Sequence, residues 1–101
     1  MSRHITVEGK YRNGRTASVG MHNPQKGDFT QEQKQHLMTM LDTYIKPNKE
    51  KFKSVKFIFT YNGIDFSTVS LEQDVLYADT QVLATRLINI YNHRLEMLRE
   101  V

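Results

Sequence analysis

The sequence predicts an α+β domain with the element order ββαββα, in which a four-stranded antiparallel sheet carries both helices on one face. Asn-Gly occurs twice, at residues 13–14 and 62–63, and alternating apolar residues flank each pair, as is typical of β-hairpins. Apolar residues at helical spacing follow each hairpin. We therefore predict one domain over 1–101, built from a hairpin at 4–22, a helix at 30–45, a hairpin at 54–71 and a helix at 79–100. The strand order within the sheet stays open.

The apolar pattern predicts the register of the first hairpin. A two-residue turn would place Val7 opposite Gly20 and would send Val19 to the other face of the sheet. A loop over 12–14 instead pairs Val7 with Val19 and puts Gly14 in the left-handed position of a turn with a bulge. Because a slip of one residue would expose the whole apolar set, we predict the three-residue loop.

In the second hairpin, the turn and the apolar pattern agree. A two-residue turn pairs Tyr61 with Ile64, Phe59 with Phe66, and Phe57 with Thr68. One face of the hairpin then carries the apolar side chains Val55, Phe57, Phe59, Tyr61, Ile64 and Phe66. This arrangement predicts a type I′ hairpin whose apolar face points to the core.

The first helix is predicted from its cap and its spacing. Thr30 followed by Gln33 is the pattern of a capping box. Apolar residues then recur at helical spacing, at Leu37, Met40, Leu41, Tyr44 and Ile45. Because the residue before a proline avoids the helical region, we expect Pro47 to end the run.

The last helix follows a segment whose structure the sequence leaves open. Residues 71–78 fit either an extension of the fourth strand or a short helical turn. Asp79 beside Thr80 is typical of an N-cap or a first-turn acid. From there to residue 100 the apolar residues keep three- and four-residue spacing, which predicts one long helix.

The apolar arc of this helix covers about half of its circumference, which is wider than a seam between two helices needs. Arg94 lies near the middle of the arc, between Ile90 and Leu98. One interpretation is that its alkyl stem covers core while the guanidinium reaches water. The other is an ion pair with a carboxylate of a partner. The candidate protein-interface residues are therefore Arg94, Ile90, Leu98 and Met97.

Positive charge is concentrated in the first part of the chain. Residues 1–56 contain eleven Lys or Arg against five acids, whereas 57–101 contain three Arg against six acids. Two basic clusters stand out, the first hairpin and the segment 46–56, and each is either a solvated loop or a surface for an anionic partner. The candidate nucleic-acid contacts are Arg3, Lys10, Arg12, Arg15, Lys49, Lys51 and Lys53.

The residues of a reaction centre are not gathered in the sequence. The chain has no cysteine, and none of its four histidines has the spacing of a metal-binding pair. Phosphate-binding glycine loops and the nucleophile-elbow motif do not occur. We therefore expect no metal, no cofactor and no catalytic activity.

The hydropathy of the chain predicts its location, and the preceding features together predict its function. No window approaches 18 consecutive apolar residues, and the first residues lack the apolar core of a signal peptide, so we expect a soluble cytoplasmic protein without a membrane partner. The expected function is that of a small non-catalytic binding module that acts through contact with a protein or with a second copy of itself. The alternative is a nucleic-acid-binding protein that uses the basic first hairpin and the lysine-rich segment 46–56.

Overall fold

The computed structural model describes residues 3–23, 29–71 and 73–99. The strands form one antiparallel sheet in the order β2-β1-β3-β4. The elements are β1 (Arg3–Tyr11), β2 (Thr16–Asn23), α1 (Gln31–Met40), β3 (Phe52–Tyr61), β4 (Ile64–Leu71) and α2 (Thr80–Arg99). The predicted α+β class and the order ββαββα are confirmed.

The first hairpin has the predicted register. Val7 lies opposite Val19. The loop closes through two backbone hydrogen bonds, from Tyr11 N to Arg15 O at 2.8 Å and from Gly14 N to Tyr11 O at 3.0 Å. Gly14 has a φ of +91°, the left-handed conformation that a residue without a Cβ adopts at low cost. The three-residue loop therefore gives the backbone pairing that the apolar pattern predicts.

The second hairpin has a bulge that the sequence analysis did not predict. Tyr61 pairs with Ile64 as expected, but Phe59 pairs with Ser67 and the register shifts between Phe59 and Thr60. The predicted pairs of Phe59 with Phe66 and of Phe57 with Thr68 are therefore wrong. Ile64, which was expected on the covered face, is 69% exposed.

The reason for the bulge is a change of phase along β4. Val69 and Leu71 lie three and five positions after Phe66. Because side chains alternate along a regular strand, Phe66 would then point to the face opposite Val69 and Leu71. Phe66 has no partner of its own in the ladder, and the extra residue restores the phase. All three side chains then pack against the core.

The first helical segment continues past Pro47. Its capping box is present, with Thr30 N donating to Gln33 Oε1 at 2.7 Å and Gln33 N donating to Thr30 Oγ1 at 3.3 Å. A π-helical turn, Leu41–Ile45, follows α1, and a 3₁₀ turn, Lys46–Lys51, follows that. Pro47 lies in the first turn of the 3₁₀ segment, where its missing N–H costs no hydrogen bond. The segment is kinked one residue later, at Asn48, whose φ of −110° and ψ of 16° are not helical.

A short helical turn precedes α2. The sequence was compatible with either a longer fourth strand or a helical turn over 71–78, and the described residues after Leu71 form the helical turn. The 3₁₀ turn spans Gln73–Tyr77. Asp79 then caps α2, since its Oδ1 accepts from Gln81 N at 2.9 Å and from Val82 N at 3.2 Å. Residue 100 of the predicted helix lies outside the described residues.

The core lies between one face of the sheet and both helices. Its buried residues are Ile5, Val7, Leu37, Met40, Leu41, Ile45, Phe52, Val55, Phe57, Phe59, Leu76, Leu83, Ala84, Leu87, Tyr91 and Leu95. Burying these side chains supplies the main driving force for folding. Within the described ranges, no helix has the length and hydropathy that a membrane crossing requires.

Candidate nucleic-acid interface

The tip of the first hairpin contacts the 3₁₀ turn that precedes β3. Arg12 donates its backbone N–H to Lys51 O at 3.1 Å, and its Nε donates to Glu50 O at 3.3 Å. Because β1 and β3 are antiparallel neighbours, with Tyr11 paired to Phe52, these contacts form although Arg12 and Glu50 are 38 residues apart. The two basic clusters of the sequence therefore lie side by side.

A close approach between β1 and Phe52 holds this arrangement together. A Cβ on Gly9 would lie closer to Cε1 of the Phe52 ring than real Cβ atoms come to another atom. The same ring stacks on Tyr11, with the centroids 4.7 Å apart. The buried Phe52 ring thus needs a glycine at position 9 and fixes the end of the first hairpin to the start of β3.

We name the joined surface the basic end and define it by Lys10, Arg12, Arg15, Lys49, Lys51 and Lys53. All of these side chains are exposed except Lys49, which is partly buried. Glu50, between Lys49 and Lys51, is an exposed acid within this surface. The six cations that define the basic end outnumber this carboxylate, so the surface carries a net positive charge.

Arg3 is the predicted nucleic-acid contact that the structure places elsewhere. It begins β1 and pairs with Tyr61, so the length of the strand separates it from Tyr11 by roughly 25 Å. Its Nη1 donates to Asn92 Oδ1 at 2.9 Å, and its guanidinium lies 5.9 Å from the ring centroid of Tyr91. Arg3 therefore joins β1 to α2 at the end of the sheet opposite the basic end.

Two tyrosines beside the basic end were missed as site residues by the sequence analysis. Tyr77 is 55% exposed, and the Lys49 ammonium lies 4.6 Å from its ring centroid. Tyr44 is 58% exposed, and Asn48 Nδ2 donates to its carbonyl at 3.4 Å. Helical spacing suggested a core position for Tyr44, but the π-helical turn changes the angle between successive side chains. No signal in the sequence marked Tyr77.

The candidate protein-interface residues differ in how far the rest of the chain covers them. Arg94 Nη1 donates to Ser67 Oγ at 2.7 Å and to Thr68 O at 3.2 Å, so it is bonded to β4 of its own chain. Ile90 is partly buried against the core. Met97 and Leu98 are 57% and 55% exposed at the end of α2. The position of Arg94 within the apolar arc thus has an explanation inside the molecule.

The most perturbed titratable group belongs to the core. Burial raises the pKa of Tyr91 to about 12, although the Arg3 charge and a backbone hydrogen bond act in the opposite direction. Its hydroxyl donates to Thr60 O, which ties α2 to β3. Among the residues that the structure describes, no group of three or more His, Asp or Glu could hold a metal ion. These features assign Tyr91 a packing role.

Comparison with known proteins found no matching family model, no matching curated protein and no matching solved structure.

Proposed function

We propose that this protein binds nucleic acid through the phosphate contacts of the basic end. The observation that carries the proposal is the pair of hydrogen bonds from Arg12 to Lys51 O and Glu50 O, which joins two basic clusters into one surface. Lysine and arginine neutralise backbone phosphates whatever the base sequence. The proposed activity is therefore binding without strong sequence preference and without catalysis.

The distribution of charge favours this function over a surface that merely keeps the protein soluble. Mixed charges spread over the whole surface suffice for solubility. Here the basic residues concentrate in 1–56, and six of them share one end of the molecule. Concentrated charge of one sign attracts a polyanion and speeds its association.

The test is the anisotropy of a labelled oligonucleotide of about 20 nucleotides as salt rises from about 50 to 200 mM. We expect the logarithm of the binding constant to fall linearly with the logarithm of the salt concentration. Each phosphate contact should contribute about −0.7 to −0.9 to the slope of this plot. The double variant Lys51→Gln with Lys53→Gln should bind about tenfold or more weakly at about 100 mM salt and should show a shallower salt slope.

The matched control is the double variant Lys34→Gln with Arg86→Gln, which removes the same charge from α1 and α2, outside both basic clusters. It should keep almost the full affinity. Equal losses in the two double variants, or no binding at the lowest salt, would overturn the proposal. Equally tight binding of polyglutamate at the same surface would replace it with an acidic protein partner.

A second candidate function, self-association, is favoured by exposed apolar residues at the other end. We name this surface the apolar end and define it by Ile64, Met97 and Leu98, whose side chains are all more than half exposed. The Tyr91 hydroxyl of α2 reaches Thr60 O, close to the turn after which β4 begins at Ile64, and Met97 and Leu98 follow later in the same helix. A second copy would cover these side chains on association.

Sedimentation tests this second function. We expect the apparent mass to rise with concentration, and Leu98→Lys should return the protein to a monomer. Val82→Lys introduces the same charge at an exposed position near the start of α2 and should leave the association unchanged. A monomer at every concentration would exclude self-association through the apolar end.

A further inference from the structure

We infer that the ligand of the basic end is a single-stranded nucleic acid whose bases stack on Tyr77 and Tyr44. This inference rests on the proposed function and deepens it, because it names the form of nucleic acid. It starts from the aromatic side chains. In the part of the chain that the structure describes, Tyr44 and Tyr77 are the exposed aromatic residues, and the other aromatic side chains are buried or half-buried.

Both tyrosines adjoin the lysine-rich 3₁₀ segment Lys46–Lys51. Tyr44 is the last residue but one of the π-helical turn that precedes Lys46–Lys51, and Asn48 of that segment donates to its backbone carbonyl. Tyr77 ends its own 3₁₀ turn under the ammonium of Lys49. The two exposed tyrosines therefore adjoin the same basic segment from two different elements.

Packing does not account for the exposure of these rings. Neither tyrosine belongs to the hydrophobic core or to the partly buried residues packed against it. An exposed aromatic ring keeps apolar area in contact with water, which is unfavourable unless another group covers it. The Lys49 ammonium lies over one face of the Tyr77 ring, and a nucleobase has a flat apolar face that would cover the other. Lys49 would then supply a cation close to the phosphate of the stacked nucleotide.

The combination distinguishes a single strand from a duplex. In a duplex the bases are stacked on one another inside the helix, so a surface tyrosine reaches only sugar and phosphate. A single strand presents base faces, and aromatic rings interleaved with cations are the common means of binding it with little sequence preference. The basic end thus selects unpaired nucleic acid.

The test compares four labelled probes, namely a deoxythymidine single strand and a uridine single strand of about 20 nucleotides, a duplex of equal length, and inorganic polyphosphate as a polyanion without bases. The protein should bind the single strands about tenfold or more tightly than the duplex. The double variant Tyr44→Ala with Tyr77→Ala should lose about tenfold in affinity per stacked base for the single strands only. The two single strands, DNA and RNA, show whether the sugar matters.

A conservative variant separates stacking from other roles of the tyrosines. Tyr44→Phe with Tyr77→Phe keeps both rings and should keep the affinity for single strands. The chain has no tryptophan, so its fluorescence comes from its five tyrosines, of which Tyr44 and Tyr77 are the exposed ones. It should fall when a single strand binds to the wild type, and it should fall less in the alanine variant.

Two results would overturn the inference, and each is distinguishable from failure of the proposed function. If the alanine variant binds single strands as the wild type does while Lys51→Gln with Lys53→Gln binds weakly, stacking is absent and phosphate binding stands. Equal affinity for duplex, polyphosphate and single strands leads to the same conclusion. If none of the probes binds, both proposals fail together.

Discussion

The two ends of the sheet differ in what holds them together and in what they expose. At the basic end, two segments distant in sequence meet through backbone hydrogen bonds and the Phe52 ring, and their cations face water. At the apolar end, Arg3, Tyr91 and Arg94 use their polar groups to fasten α2 to the strands. The cations of the apolar end are bonded to the strands and to α2, whereas those of the basic end lie together at one surface. Arg12 donates to Glu50 O and still adds its charge to that surface.

The largest loss of stability is expected from Gly9→Ala, which disturbs the contact between β1 and Phe52 at the basic end. The new Cβ would collide with the Phe52 ring, and a rigid core cannot absorb that contact without moving β1 or the ring. We expect a loss of about 2 to 3 kcal/mol in the free energy of unfolding, measured by urea denaturation. Weaker binding of single strands should accompany it.

The control for this variant is Gly20→Ala. Its Cβ would meet Nε2 of the His4 imidazole, the far end of a side chain that can rotate, so the cost should stay below about 1 kcal/mol. If Gly9→Ala is no more destabilising than Gly20→Ala, the close contact between Phe52 and β1 does not exist in solution.

The next loss of stability concerns Tyr91 of α2 and depends on pH. The pKa of Tyr91 is about 12 in the folded protein and 10.0 in a free tyrosine, so the unfolded state loses its proton first. The contribution of Tyr91 to stability is complete below about pH 10 and is lost as the pH rises toward 12. The loss is on the order of 2 to 3 kcal/mol, visible in urea denaturation at a series of pH values.

Tyr91→Phe sharpens this prediction. The variant loses the hydrogen bond to Thr60 O and should be less stable at neutral pH by about 1 kcal/mol. Its stability should depend less on pH between about 10 and 12 than that of the wild type. An unchanged alkaline profile would show that Tyr91 is not the group responsible.

A smaller effect is expected from Arg94→Met, which tests whether this residue stabilises the fold or contacts a partner. Methionine keeps the apolar stem but removes the donors to Ser67 Oγ and Thr68 O. Because the site is partly open to water, we expect a loss of about 1 kcal/mol in the free energy of unfolding. Full stability together with loss of self-association would instead support an interface role.

The structure also indicates which features a single sequence can reveal. The register of the first hairpin was predictable because Val7 and Val19 are in phase with a three-residue loop. The bulge of the second hairpin was recognisable in principle, since Phe66 and Val69 are out of phase, but the Asn-Gly turn alone suggested a regular ladder.

The site was harder to predict than the fold. The meeting of Arg12 with Lys51 depends on the pairing of β1 with β3, which no local pattern encodes. The exposure of Tyr44 depends on a π-helical turn, because regular α-helical spacing would place it beside Leu37 and Leu41. Long-range pairing and local irregularity therefore separate the sequence patterns from the assembled surface.

The central claim is that two basic segments form one nucleic-acid surface, and backbone amide NMR during titration with a single strand tests it most directly. We expect the shifts to move for Arg12 and Arg15 in the first hairpin and for Lys49 and Lys51 in the 3₁₀ turn, at the same ligand concentrations. Shifts confined to Met97 and Leu98, or to one of the two basic segments alone, would contradict it.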